Sequence, residues 1–203
     1  MTLPSGVLLR AFVSPAEAPI VNNAARRLEE WLAGAGAKVP AVGVQFVRSL
    51  GDLACGDGPA VLIASMLPDL DEALEDWPNA EARLTGAYQG LAERGGALAF
   101  LCTVFRHVPQ ELGEEACNAR RLAIRRLDLL AIGVSHTTGL NLIDLDRALA
   151  HVGALALETD YRLGGMAARK AAGRAMAATI LGAGLDEWIA PEVQERAAAI
   201  GAA

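Results

Sequence analysis

Short apolar, β-rich runs alternate with longer segments of helical period along this chain, and that alternation leaves few folds open. Val7–Val13, Val42–Val47, Ala60–Ala64, Ala97–Val104 and Leu140–Leu145 are strand candidates. Ala16–Ala35, Ala80–Glu93, Glu114–Ile132 and Met166–Leu181 are helix candidates. Ile20, Ala24, Leu28 and Leu32 recur at helical spacing in the first of these, and Leu84, Tyr88 and Leu91 share a face in the second. Near-continuous apolar strands are those buried on both faces, and strands joined by helices run parallel with right-handed crossovers. The expectation is therefore an α/β fold: three layers, α/β/α, around a five-stranded parallel sheet, doubly wound in the flavodoxin-like manner. Residues 1–182 form its single domain and residues 183–203 a helical tail. Trp188, Ile189, Val193 and Ile200 lie among charges in that tail. It is expected to pack on its own body, with a second subunit or a partner enzyme as its other use.

Composition narrows the function classes. With 203 residues and 53% hydrophobic content the chain can bury one full core. Only 4% of residues are aromatic, so that core is built of small aliphatic side chains. Formal net charge is −6, from 18 basic and 24 acidic residues, and no basic stripe is concentrated enough for a nucleic-acid binder. Arg120, Arg121, Arg125 and Arg126 read as the wet face of a helix. Cys55, Cys102 and Cys117 are odd in number and lack metal or redox spacing, so free thiols in a reducing, cytoplasmic setting are expected. Val7–Val13 follows no basic leader, and no uncharged apolar run reaches membrane-spanning length. The phosphate-loop, dinucleotide-binding and zinc-helix motifs are absent, as is Gly-x-Ser-x-Gly; no cofactor and no metal are expected. Asp144 and Asp146 flank Leu145, where Asp146 is expected to cap a helix through Arg147 and Leu149.

In an open parallel sheet, ligands bind beyond the carboxyl ends of the strands. The residues there are Ser14, then Arg48, Ser49 and Gly51, then Ser65, then Thr103, Arg106 and His107, then Asp144 and Asp146. Asp160 and Arg162 join them from the last loop. Arg48, Arg106 and Arg162 on one rim would hold a carboxylate or a phosphate. Ser14 is placed as a nucleophile at a strand-to-helix turn, although Ser14-Pro15-Ala16-Glu17 also reads as a capping box with proline in the first helical position. His107 is the candidate base, and equally an ordinary loop histidine beside Arg106. His136 falls in a Ser-His-Thr-Thr-Gly turn, and His151 at a helix end.

One stretch carries a resemblance. Asp160-Tyr161-Arg162-Leu163-Gly164-Gly165, followed by an Ala-rich helical run to Leu181, comes after the strand-like Leu140–Leu145. This order of segments resembles the SGNH/GDSL hydrolase superfamily over nearly the whole chain. There the first strand ends in Gly-Asp-Ser; here Phe12-Val13-Ser14 keeps only the serine. Gly51 stands nearest the family's oxyanion glycine. Ser65, in Ala64-Ser65-Met66-Leu67-Pro68-Asp69, opens the block that lacks the oxyanion asparagine. Leu163 replaces the histidine of Asp-x-x-His. The resemblance implies an SGNH-like fold and an esterase or acyltransferase of altered mechanism acting on a small anionic acyl substrate. Ser14 would be its nucleophile, Gly51 and Ser65 its oxyanion groups, His107 its substitute base and Asp160 the surviving acid. The competing expectation is a non-catalytic relative that binds a small anion or a partner through Arg48, Arg106 and Arg162. A third is an unrelated flavodoxin-like binding domain.

Overall fold

The computed structural model describes residues 6–38, 41–55, 58–94 and 98–202. Gly56-Asp57, Gly95-Gly96-Ala97 and the amino-terminal residues 1–5, which entered the turn, strand and leader readings, lie outside them. Five strands are present: β1 (Val7–Phe12), β2 (Val42–Phe46), β3 (Val61–Ser65), β4 (Ala99–Cys102) and β5 (Asn141–Ile143). They form one all-parallel sheet in the order β2-β1-β3-β4-β5, the flavodoxin-like order. The α/β expectation therefore stands. Among the described residues, no helix is long and apolar enough to cross a membrane.

Alternation along each strand divides the core into two layers. Leu9, Ala11, Val61, Ile63, Phe100 and Cys102 face one side. They pack under α1 (Ala18–Gly34), α6 (Leu145–Val152) and α8 (Met166–Gly182). Leu62, Ala64, Ala99 and Leu101 face the other side. They meet α2 (Leu50–Leu53), α3 (Leu70–Glu75), α4 (Trp77–Glu93) and α5 (Glu114–Thr138). Single 3₁₀ turns occupy Leu67–Asp69 and Gln110–Leu112. A four-residue helix, α7 (Ala154–Leu157), precedes the last loop.

α1 and α8 approach closely because Gly173 has no side chain. A Cβ there would lie 2.7 Å from the Asn23 Cβ and 3.1 Å from the Ile20 carbonyl oxygen. The tail ends in α9 (Pro191–Ala202), which docks on α1 and α8 of the same chain. Gly201 sits flat against the Trp31 ring, Arg174 donates to the Gly201 carbonyl at 2.8 Å, and Arg196 donates to the Ala35 carbonyl. The Gln194 amide ties Leu185, Asp186 and Ile189 together from a buried position.

Three local expectations are corrected. The first helix begins at Ala18, with Glu17 as its cap residue, so Pro15 precedes the helix instead of opening it. α5 runs on to Thr138, which places His136 in its last turn. Ser135, Thr137 and Thr138 turn their hydroxyls onto nearby carbonyls, and left-handed Gly139 then ends the helix. Finally, Asp144 is the residue that caps α6, accepting from Arg147 N–H at 2.9 Å. Asp146 instead receives the Arg106 guanidinium and backbone N–H, each at 3.0 Å.

Candidate functional site

The fold rule places a ligand crevice where strand order reverses, between β1 and β3. Here that point is filled. Glu17, in the turn after β1, is buried and accepts the Ser65 hydroxyl at 2.6 Å and the Ser14 N–H at 2.9 Å. The Ser65 oxygen also accepts from Leu67 N–H, and Tyr88 donates to the Ser65 carbonyl. Burial pushes the Glu17 carboxyl above its ordinary range, against the pull of these hydrogen bonds. Sequence reasoning missed this role, because Ser-x-x-Glu was fully accounted for by capping. The carboxylate does make the reach-back half of that motif, but its second oxygen closes the switch point.

A cleft of about 620 Å³ opens beside it. Ala16 contributes from the turn after β1, and His107 and Pro109 from the loop after β4. Ala154 and Leu155 of α7, then Glu158, Thr159, Asp160, Arg162, Gly164 and Gly165 of the last loop, form the opposite wall. Arg169, in the first turns of α8, completes it.

The last loop is fixed from several directions. Tyr161 N–H donates to the His107 carbonyl at 2.8 Å, which joins the two loops carrying His107 and Asp160. The Thr159 hydroxyl donates to the Gly164 carbonyl at 2.8 Å. Leu163 is buried in the core with left-handed backbone, and its N–H closes onto the Asp160 carbonyl at 2.9 Å. Arg162 folds back onto Asp160 through its backbone N–H and its guanidinium. Arg120 and Arg162 each lie 5.5 Å from the centre of the Tyr161 ring. Burial raises the Asp160 carboxyl, but the hydrogen bonds and charge of Arg162, with His107 nearby, prevail and hold it below its usual range.

Electrostatically the lining falls into two parts. Asp160 and Arg162 satisfy each other. Arg169 and Glu158 do not take part in that pairing. The Arg169 Nε is buried without a hydrogen-bond partner. Glu158 is exposed, with left-handed backbone at φ +48° and no ion pair among the described residues. Glu158 and Leu163 are the only left-handed non-glycine residues described, and both belong to this loop. Such a backbone costs about 1 kcal/mol relative to glycine.

His107, which follows a strand end, thus meets Asp160 and Arg162 of the last loop in one cleft. Ser14, Gly51 and Ser65 do not line it. The Ser14 hydroxyl is buried without a partner. Ser65 is fully buried, and Gly51 is exposed on α2. Nor do the three arginines converge. Arg48 is exposed beyond β2, the edge strand furthest from β5, while Arg106 is engaged by Asp146 at 2.9 Å. Arg169 takes their place in the cleft. It was missed because an Ala-rich helix gives no sign of which arginine faces inward. Asp144 and Asp146 are occupied structurally, and no group of three or more potential metal ligands occurs among the described residues. Comparison with known proteins finds no matching family model, no matching curated protein and no matching solved structure.

Proposed function

We propose that this chain binds a small anionic molecule, a carboxylate or a phosphate, in the cleft between the last loop and α8. One observation carries the reading: Arg169 lines the cleft and has no ion pair among the described residues. A guanidinium in a cleft without an acid partner offers a fork of N–H donors that matches a carboxylate or a phosphate. His107, on the same lining, adds a further donor. Phosphate is the simplest probe. Inorganic phosphate at millimolar concentration should raise the unfolding temperature of the wild type, because a ligand held only by the folded state stabilises it. In Arg169→Met that rise should vanish while the unliganded protein stays folded. Equal stabilisation of both proteins would remove Arg169 from the site.

The second reading is SGNH-like acyl transfer by Ser14. Its support is the position of Ser14 just after β1 and the meeting of His107 with Asp160 in a neighbouring cleft. It ranks second because Ser14 does not line the cleft that holds His107 and Asp160, and because Leu163, where the family's histidine would stand, is packed in the core. No labelling by a fluorophosphonate probe is therefore expected. Labelling that disappears in Ser14→Ala would reverse the order of the two readings.

A further inference from the structure

We infer that the ligand is a zwitterion, carrying an ammonium group that Glu158 receives as well as the anion held by Arg169. This rests on the anion-binding reading of the cleft and specifies its ligand class. Three observations point to it. Glu158 lines the cleft that Arg169 lines, and it has no ion pair among the described residues. It closes α7 in the left-handed conformation, at a position where helices ordinarily place glycine or asparagine. Glycine would relieve that strain, so the turn itself does not call for a glutamate. Third, the lining holds both signs of charge unpaired. Asp160 holds Arg162, which leaves Glu158 and Arg169 without ion pairs among the described residues, with His107 beside them.

A lone anion would satisfy Arg169 but would lie in the field of an uncompensated carboxylate. A lone cation would meet the reverse. A molecule bearing both charges satisfies both residues, and a charge-assisted hydrogen bond at each end adds orientation to affinity. Amino acids and aminoalkyl phosphates are the chemical classes that fit.

The test compares matched pairs of compounds by calorimetric titration: propionate with β-alanine, and ethyl phosphate with phosphoethanolamine. In the wild type, the amine-bearing member of each pair should bind about tenfold tighter, the usual range for a hydrogen-bonded charge. Glu158→Asn keeps a residue tolerant of the left-handed turn and removes the charge. It should bind both members of a pair equally. Glu158→Gly should do the same while melting about 2 °C higher, because the backbone strain is relieved. Arg169→Met should lose both series. If the wild type binds the two members equally, the zwitterion inference fails and anion binding stands. If neither series binds to the wild type, the anion-binding reading itself fails.

Discussion

Gly173→Val should lower the unfolding temperature by about 10 °C, whereas Gly86→Ala should leave it unchanged or raise it slightly. Both glycines lie within helices, yet their surroundings differ. A Cβ at Gly173 would meet the Asn23 Cβ at 2.7 Å, the Ile20 carbonyl oxygen at 3.1 Å and the Ala24 nitrogen at 3.3 Å. Two of these are backbone atoms of α1, which cannot rotate aside. α8 must then lift from α1, opening the layer that holds Ile20, Ala24, Ala172 and Met176. Overpacking of this kind costs about 3 kcal/mol, and the better helix propensity of valine returns only a few tenths. Gly86 is exposed on α4, and a Cβ added to it would meet nothing within 4 Å. Differential scanning calorimetry of the two variants checks the contrast, and a mild Gly173→Val would show that α1 and α8 are not closely apposed in solution.

Stability should fall as pH climbs from about 4 to about 8. Burial raises the Asp128 carboxyl to about 8, with Asp146 and Asp144 pushing the same way. The hydrogen bond from Val104 N–H, at 2.7 Å, and the charge of Arg106 only partly oppose this. Burial raises the Glu17 carboxyl as well. Between the ordinary carboxylate pKa and the folded value, the folded chain holds protons that the unfolded chain has released. Stability then declines with rising pH, in proportion to that difference in bound protons. The loss is complete once pH has passed the folded value. A rise of this size sets a ceiling of about 6 kcal/mol for Asp128, and its partial exposure to solvent reduces this to on the order of 3 kcal/mol. Asp160, held low by Arg162, acts oppositely: the stability it contributes is present above its ordinary pKa and is lost in acid. Urea unfolding from pH 4 to pH 9 should therefore show a maximum near the acid end. Asp128→Asn retains an acceptor for Val104 N–H and should flatten most of the slope. An unchanged slope in that variant would place the effect elsewhere.

The fold was legible because its signals are local and repeated. Leu9, Ala11, Val61 and Ile63 belong to apolar runs short enough for strands, and the periods between them fix helices and hence a parallel sheet. Helix ends were less legible. Hydroxyl-to-carbonyl bonds carry α5 through residues whose composition reads as a turn. The site was half legible. His107 follows from the strand-end rule and Asp160 from the last loop's resemblance, and the Tyr161–His107 backbone bond joins their loops. Glu17 was hidden behind a motif that needed only one of its two oxygens. Arg169 was hidden because facing direction on a weakly amphipathic helix is decided by tertiary packing. Arg48 and Arg106 show the complementary error: correct strand ends, but the wrong sheet edge for one and a local acid for the other.

The way the last loop is fastened has a kinetic consequence. Leu163 plugs it into the core, the His107 carbonyl pins its middle, and Thr159 ties its two ends. A wall held in this way is already in place before a molecule arrives. Capture should be a single encounter, with an observed rate that grows in proportion to ligand concentration and reaches no plateau.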